Sequence, residues 1–191
     1  MAEHAEHGVE RRGSRWRIAV WATAAFLLLL PLLAMQVTGE VNWTGSDFVF
    51  AGALMFGALG AYEVAVRMTG NRAYRAGAGL AIVTAFLLVW INAAVGITDS
   101  DADGMYLVVL ALALVGALVA RFRPAGMARA MMAAALATLS VGVVALVAGV
   151  VPAYNSAFEI LGLSTFFAVL WGGSALLFRE AARGETEQQI D

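Results

Sequence analysis

The arginine residues of this chain all lie on one side of six apolar segments. All twelve basic residues are arginine, and they form four groups: Arg11, Arg12, Arg15 and Arg17; Arg67, Arg72 and Arg75; Arg121, Arg123 and Arg129; Arg179 and Arg183. The far turns of the hydrophobic hairpins between these groups carry only acids: Glu40 and Asp47; Asp99, Asp101 and Asp103; Glu159. Because basic loops stay in the cytoplasm during insertion, the pattern predicts a polytopic membrane protein with both termini cytoplasmic.

The composition excludes several classes of protein. The chain is 61% hydrophobic and 14% charged, whereas a soluble domain carries about a quarter charged residues. Cysteine and lysine are absent, which removes disulfides, thiolate metal sites and lysine-linked cofactors. The two histidines, His4 and His7, precede the first apolar segment. The segments therefore lack the usual haem ligands, zinc ligands and serine–histidine dyads, and we expect no enzyme activity.

Six windows are long enough to cross a hydrocarbon core of about 30 Å, which needs about 20 helical residues. They are 16–36, 46–67, 76–97, 105–122, 129–151 and 158–178. We expect an all-α, six-helix transmembrane bundle over 16–178, with a disordered cytoplasmic tail over 1–15 and a polar cytoplasmic tail over 179–191. The first span also has features of a signal peptide, but its apolar run is longer than usual and no Ala-x-Ala site follows. An uncleaved anchor is the preferred interpretation.

Small residues recur at four-residue spacing on two of the spans. They are Ala53, Gly57 and Ala61 on the second, and Ala130, Ala134, Thr138 and Gly142 on the fifth. Such ridges let helix backbones approach closely within a membrane, so the fifth span is predicted to lie at the centre of the bundle. The alternative is that alanine-rich helices only reflect genome composition.

A shift of 54 residues aligns the second and third spans with the fourth and fifth. It places Thr84 on Thr138 and Arg75 on Arg129. Parallel repeats of this kind occur in transporter folds. The rule for basic loops would align the arginines without a duplication, and that interpretation stays open.

The outer turn between the third and fourth spans carries Asp99, Asp101 and Asp103, followed by a glycine. Oxygen ligands at alternate positions before a glycine form the first half of an EF-hand calcium loop. The twelfth loop position is a leucine rather than the bidentate glutamate, so a calcium site here needs another carboxylate from a neighbouring outer turn. The alternative, which we favour, is a solvated acidic turn in which Asp103 caps the next helix.

Two further outer carboxylates have the spacing of helix caps. Asp47 follows Thr44 by three residues, and Glu159 follows Ser156 by three. This spacing predicts capping boxes that open the second and sixth spans.

Glu63 is the one carboxylate predicted to lie within the hydrocarbon, where an acid indicates function by default. It precedes Arg67 by four residues, so an ion pair on one helix face is the alternative to a proton or cation role. Asn92 and Thr84, both in the third span, are the other polar side chains that would line a transport pathway. For Asn92 an interhelical hydrogen bond is the preferred interpretation.

Two motifs carry a resemblance to a known group of proteins. They are Glu40-Val41-Asn42-Trp43-Thr44 with Asp47-Phe48, and the segment 121–129, which reads Arg-Phe-Arg-Pro-Ala-Gly-Met-Ala-Arg. With them the chain resembles a family of uncharacterised bacterial inner-membrane proteins, over the first to fifth spans. The resemblance implies the topology and the bacterial inner membrane, and it implies no activity, cofactor or catalytic residue.

These observations favour a non-catalytic membrane protein that acts as an accessory or assembly subunit, or as a scaffold of a membrane complex. The alternative is a transporter or channel for a small solute or ion, acting either alone or as a dimer. The repeat, Pro31 and Glu63 favour this alternative. The expected partners are the lipid bilayer and either another membrane protein or a second copy of the chain. We expect no nucleic acid and no cofactor, apart from calcium if the acidic turn binds it.

Overall fold

The computed structural model describes residues 2–94, 103–149 and 157–187. Every regular element in these ranges is an α-helix, and there are six: α1 (Ala2–Val37), α2 (Gly45–Met68), α3 (Arg72–Ala94), α4 (Asp103–Val119), α5 (Pro124–Val147) and α6 (Ala157–Glu187). Five of these six are long and apolar enough to cross a membrane, and α4 is a shorter apolar helix. The chain is therefore that of a multi-pass, membrane-embedded protein.

The helices follow the predicted spans, with differences at their ends. Helix α1 begins at Ala2 and so includes most of the stretch that was predicted as a disordered tail; its apolar part is Arg17–Val37. Helix α6 continues to Glu187, well beyond the predicted end of the last span. Helix α3 begins at Arg72 and α5 at Pro124, so each of these helices starts before its predicted apolar span.

The chain divides into two compact units, and the first extends to Ala61. In this unit Trp21 of α1 stacks on Phe56 of α2, with ring centroids 5.8 Å apart. Helix α2 begins where predicted, since the Asp47 carboxylate accepts a hydrogen bond from the Thr44 backbone N–H at 2.7 Å. This bond is the reciprocal half of a capping box.

The second unit begins at Tyr62 and contains helices α3 to α6. Helices α5 and α6 form its most extensively packed pair; α6 also packs on α3, and α4 packs on α5. Helix α5 starts with Pro124 at its first position, where no backbone N–H is needed, and ends at Val147, two residues before Gly149, which has a φ of 63°. Its four ridge residues are all buried: Ala130, Ala134, Thr138 and Gly142. The buried face predicted for the fifth span is confirmed, and α6 packs on two helices as α5 does.

The corresponding ridge on α2 has a different environment. Ala53, Gly57 and Ala61 are all exposed. The same small-residue spacing thus lies inside the packed unit on α5 and on the chain's own surface on α2.

Candidate functional site

The carboxylate of Glu63 is engaged with a neighbour on its own helix. Arg67 Nη2 donates to Glu63 Oε1 at 2.8 Å, and the arginine side chain is 67% exposed. An exposed pair at this spacing contributes at most about 0.5 kcal/mol. The ion pair that the spacing allowed is therefore present, near the end of α2 that carries arginine.

The other two predicted transport residues, Thr84 and Asn92 of α3, are also hydrogen-bonded, each in a different place. Thr84 is fully buried and its hydroxyl donates to Leu80 O at 2.7 Å, one turn earlier in the same helix. Asn92 Nδ2 donates to Asp103 O at 3.1 Å, which is the interhelical bond predicted for Asn92. Eight residues separate Thr84 from Asn92, about 12 Å along the helix. Glu63 lies near the opposite end, so the three residues do not form one cluster.

Asp103 is the one member of the outer acidic turn that the structure describes. It opens α4, is half-buried, and its backbone carbonyl accepts the bond from Asn92. Asp99 and Asp101 lie outside the described residues, and calcium binding here stays a prediction. Ser156 also lies outside them, so the second predicted capping box is known only by Glu159, in the first turn of α6.

Buried polar side chains connect the helices of the second unit, and the sequence did not predict these connections. Tyr106 on α4 and Ser164 on α6 share a hydrogen bond of 2.9 Å, and both are fully buried. Ser174 Oγ donates to Gly77 O at 2.8 Å and so connects α6 to α3. In a membrane, such bonds contribute about 0.6 kcal/mol each on average. They hold the helices in register.

Trp171 is the exception among these buried polar side chains. Its side chain is 1% exposed, and among the described residues its indole Nε1 has no acceptor. Nothing in the sequence indicates an unsatisfied donor at this position. A buried donor without a partner costs on the order of 1–3 kcal/mol.

We call the end of the second unit that carries arginine residues the arginine end. At this end, side chains donate hydrogen bonds to backbone carbonyls. The Tyr74 hydroxyl donates to Phe122 O at 2.8 Å. Arg75 Nε donates to Thr69 O at 2.8 Å and Arg75 Nη2 to Val66 O at 3.0 Å, so this side chain caps the last turn of α2. Tyr74 lies in the first turn of α3 and is buried inside the unit.

A cavity of about 490 Å³ opens at the arginine end. It is lined by Met68, Thr69, Tyr74, Phe122, Arg123, Pro124, Ala125, Ala182, Glu185 and Thr186. The lining has one cation and one carboxylate and includes none of the predicted transport residues. Comparison with protein-family models, with curated proteins and with solved structures finds no match for this chain.

Proposed function

We propose that the protein is a non-catalytic integral membrane protein that serves as an accessory or assembly subunit, or as a scaffold, of a membrane complex. The unequal burial of its spans carries this proposal. In the most apolar stretches of Arg17–Val37 and Gly45–Met68 only 6% of residues are buried, against 39% in Pro124–Val147. Two spans thus have hardly any fully buried residue, and much of their apolar surface is left for lipid or another protein to cover.

The exposed ridge on α2 favours protein over lipid as the cover of that surface. A Cβ added at Gly57 would have nothing within 4 Å, so no described residue uses the close approach that this glycine allows. Small residues at four-residue spacing are enriched where membrane helices associate. The partner is either another membrane protein or a second copy of this chain.

Gentle detergent purification tests the proposal, and the expected result is a partner at fixed stoichiometry. Gly57→Leu should remove that partner, because the added side chain blocks close approach along the ridge. Gly162→Leu on α6 is the matched control, since Gly162 is also exposed with nothing within 4 Å. Repeated recovery of the lone chain, or a partner that survives Gly57→Leu, would contradict the proposal.

A transporter or channel is the second candidate, and it rests on the 54-residue repeat. Thr84 and Thr138 occupy equivalent positions, both fully buried, and each donates its hydroxyl to the carbonyl four residues earlier, at 2.7 and 2.8 Å. Flux into proteoliposomes compared with Glu63→Gln tests a role for the carboxylate. Equal rates would remove Glu63 from the mechanism, and no flux of any ion or small solute would remove the candidate.

We also propose a six-span topology in the bacterial inner membrane with both termini cytoplasmic, and membership of the family that the two motifs resemble. The arginine distribution supports the topology. Because cysteine is absent, single cysteines report sidedness without background. We expect Gly70→Cys and Phe122→Cys to react from the cytoplasm, and Gly39→Cys and Gly149→Cys from the opposite side. Labelling of Phe122→Cys from outside would contradict the six-span topology.

A further inference from the structure

Three arginines line one cavity at the turn between α4 and α5. The cavity measures about 460 Å³ and is lined by Val119, Ala120, Arg121, Arg123, Ala125, Gly126 and Arg129. No acidic residue is in this lining. Insertion topology requires basic residues in this turn, but it does not require that three guanidinium groups border the same space.

Backbone bonds hold the turn that presents these arginines. Arg121 N donates to Leu118 O at 2.9 Å, and Phe122 N donates to Ala117 O at 3.1 Å. Arg121 and Phe122 both have left-handed backbone, with φ of 50° and 58°, which is uncommon for residues other than glycine. The Phe122 carbonyl is in turn bonded by Tyr74. Such backbone persists only where its surroundings hold it in place, so the arginines are presented from a rigid support.

The lining of this cavity contains no carboxylate, although Arg123 also borders the larger cavity that includes Glu185. Among the described residues no carboxylate forms an ion pair with Arg121, Arg123 or Arg129, and all three are exposed. Arg129 Nε donates only to Ala125 O, at 3.3 Å. The first turn of α5 faces the same cavity and has no side-chain cap, which adds the positive end of a helix dipole to the three guanidinium groups.

We infer that this cavity binds the phosphate of an anionic phospholipid headgroup. Guanidinium groups form paired hydrogen bonds with phosphate oxygens, and basic pockets at the cytoplasmic ends of membrane helices suit acidic lipids. The apolar surface next to the cavity selects a lipid over a soluble phosphate ester. Val119 in the lining is 79% exposed, and Leu118, Val115 and Leu114 continue an exposed apolar face along α4 that acyl chains can cover.

Native mass spectrometry of the full-length, delipidated protein in detergent tests this inference. Phosphatidylglycerol is titrated in parallel with phosphatidylcholine, and soluble glycerol 3-phosphate is the competitor. We expect phosphatidylglycerol to bind at least ~tenfold more tightly, because both lipids carry the phosphate but the choline cation of phosphatidylcholine is repelled by the three arginines. Binding of phosphatidylcholine with equal affinity, or displacement of the lipid by equimolar glycerol 3-phosphate, would overturn the assignment.

Two double variants separate a built site from bulk charge. Arg121→Gln/Arg129→Gln should weaken phosphatidylglycerol binding by at least ~tenfold. Arg179→Gln/Arg183→Gln removes the same charge from exposed positions on α6 outside the cavity and should change affinity less than ~twofold, as expected for screened surface charge. Equal losses in the two variants would overturn the inference.

A third variant covers the case in which the glutamine substitutions prevent folding. Arg121→Lys/Arg129→Lys keeps the charge but loses the paired geometry, and it should still weaken binding several-fold. Unchanged affinity in this variant would count against the proposed contacts. The readout is lipid adduct and requires no assumption about the partner or activity of the protein.

Discussion

The contact between Gly142 and Ser164 is the point at which α5 and α6 are most sensitive to one added methyl group. A Cβ on Gly142 would lie 2.8 Å from the Ser164 Cβ and still closer to its hydroxyl oxygen. Ordinary contact begins at 3.4 Å, so the two helices would have to separate by several tenths of an ångström. Since this pair forms the main interface of the second unit, the separation cannot stay local.

The expected cost of Gly142→Ala follows from two terms. Overpacking of a tight contact costs typically about 1–3 kcal/mol. Separation also weakens the buried bond between Tyr106 and Ser164, about 0.6 kcal/mol for an average membrane hydrogen bond. We expect Gly142→Ala to lower the free energy of unfolding by about 1–3 kcal/mol, measured by SDS titration in mixed micelles and followed by tryptophan fluorescence.

Substitutions at Ser164 identify the atom responsible. Gly142→Ala/Ser164→Gly removes both the hydroxyl and the Cβ, so it should recover the steric loss and retain only the loss of the bond to Tyr106. Gly142→Ala/Ser164→Ala keeps the Cβ–Cβ clash and should recover little. Gly162→Ala on α6, with open space around it, is the control and should leave stability unchanged. Equal rescue by the two Ser164 substitutions, or a wild-type stability for Gly142→Ala alone, would refute this packing.

Further predictions concern the arginine end and the outer acidic turn. Arg75→Gln should destabilise the protein by about 1–3 kcal/mol in the same titration, because two backbone carbonyls at the end of α2 lose their charged donor. The control is Arg72→Gln, at an exposed position in the same turn, which should change stability by less than about 0.5 kcal/mol. Tyr74→Phe should cost about 1 kcal/mol through the lost bond to Phe122 O, and a wild-type unfolding curve would argue against that bond. If the outer turn is only a solvated acidic loop, the melting temperature should be the same in millimolar Ca²⁺ and in EGTA, and a rise with Ca²⁺ alone would restore the metal interpretation.

The positions of the helices were predictable from the sequence because length and hydropathy determine where a span can begin and end. The pairings between helix faces were not. Helices α4 and α5 are apolar on nearly every side, so their sequences contain little angular information about which face is buried. The bond between Tyr106 and Ser164 depends on that angle, and no local signal marks either residue.

The small-residue ridges show both the use and the limit of a motif. Ala130, Ala134, Thr138 and Gly142 correctly indicated a buried face on α5, whereas the same spacing on α2 lies exposed. The motif reports that a backbone can be approached closely and contains no information about the partner. On α5 the partner is in the same chain, and on α2 we propose that it is not.

Helix α4 is shorter than a usual span, yet hydrogen bonds connect its two ends to the two ends of α3, which is long enough to span. Tyr74 in the first turn of α3 bonds to Phe122 O just beyond α4, and Asn92 near the end of α3 bonds to Asp103 O at the start of α4. Residues 74–92 of α3 extend about 27 Å, so α4 and its following turn run antiparallel to α3 between the same two levels. We propose that a segment matched in this way to a spanning helix crosses the same slab. Crossing would also place the arginines that follow α4 on the side of the turn between α2 and α3, as basic loops require. By length alone, five helices qualify as spans. The hydrogen bonds at both ends of α4, together with the positions of the arginines, favour six.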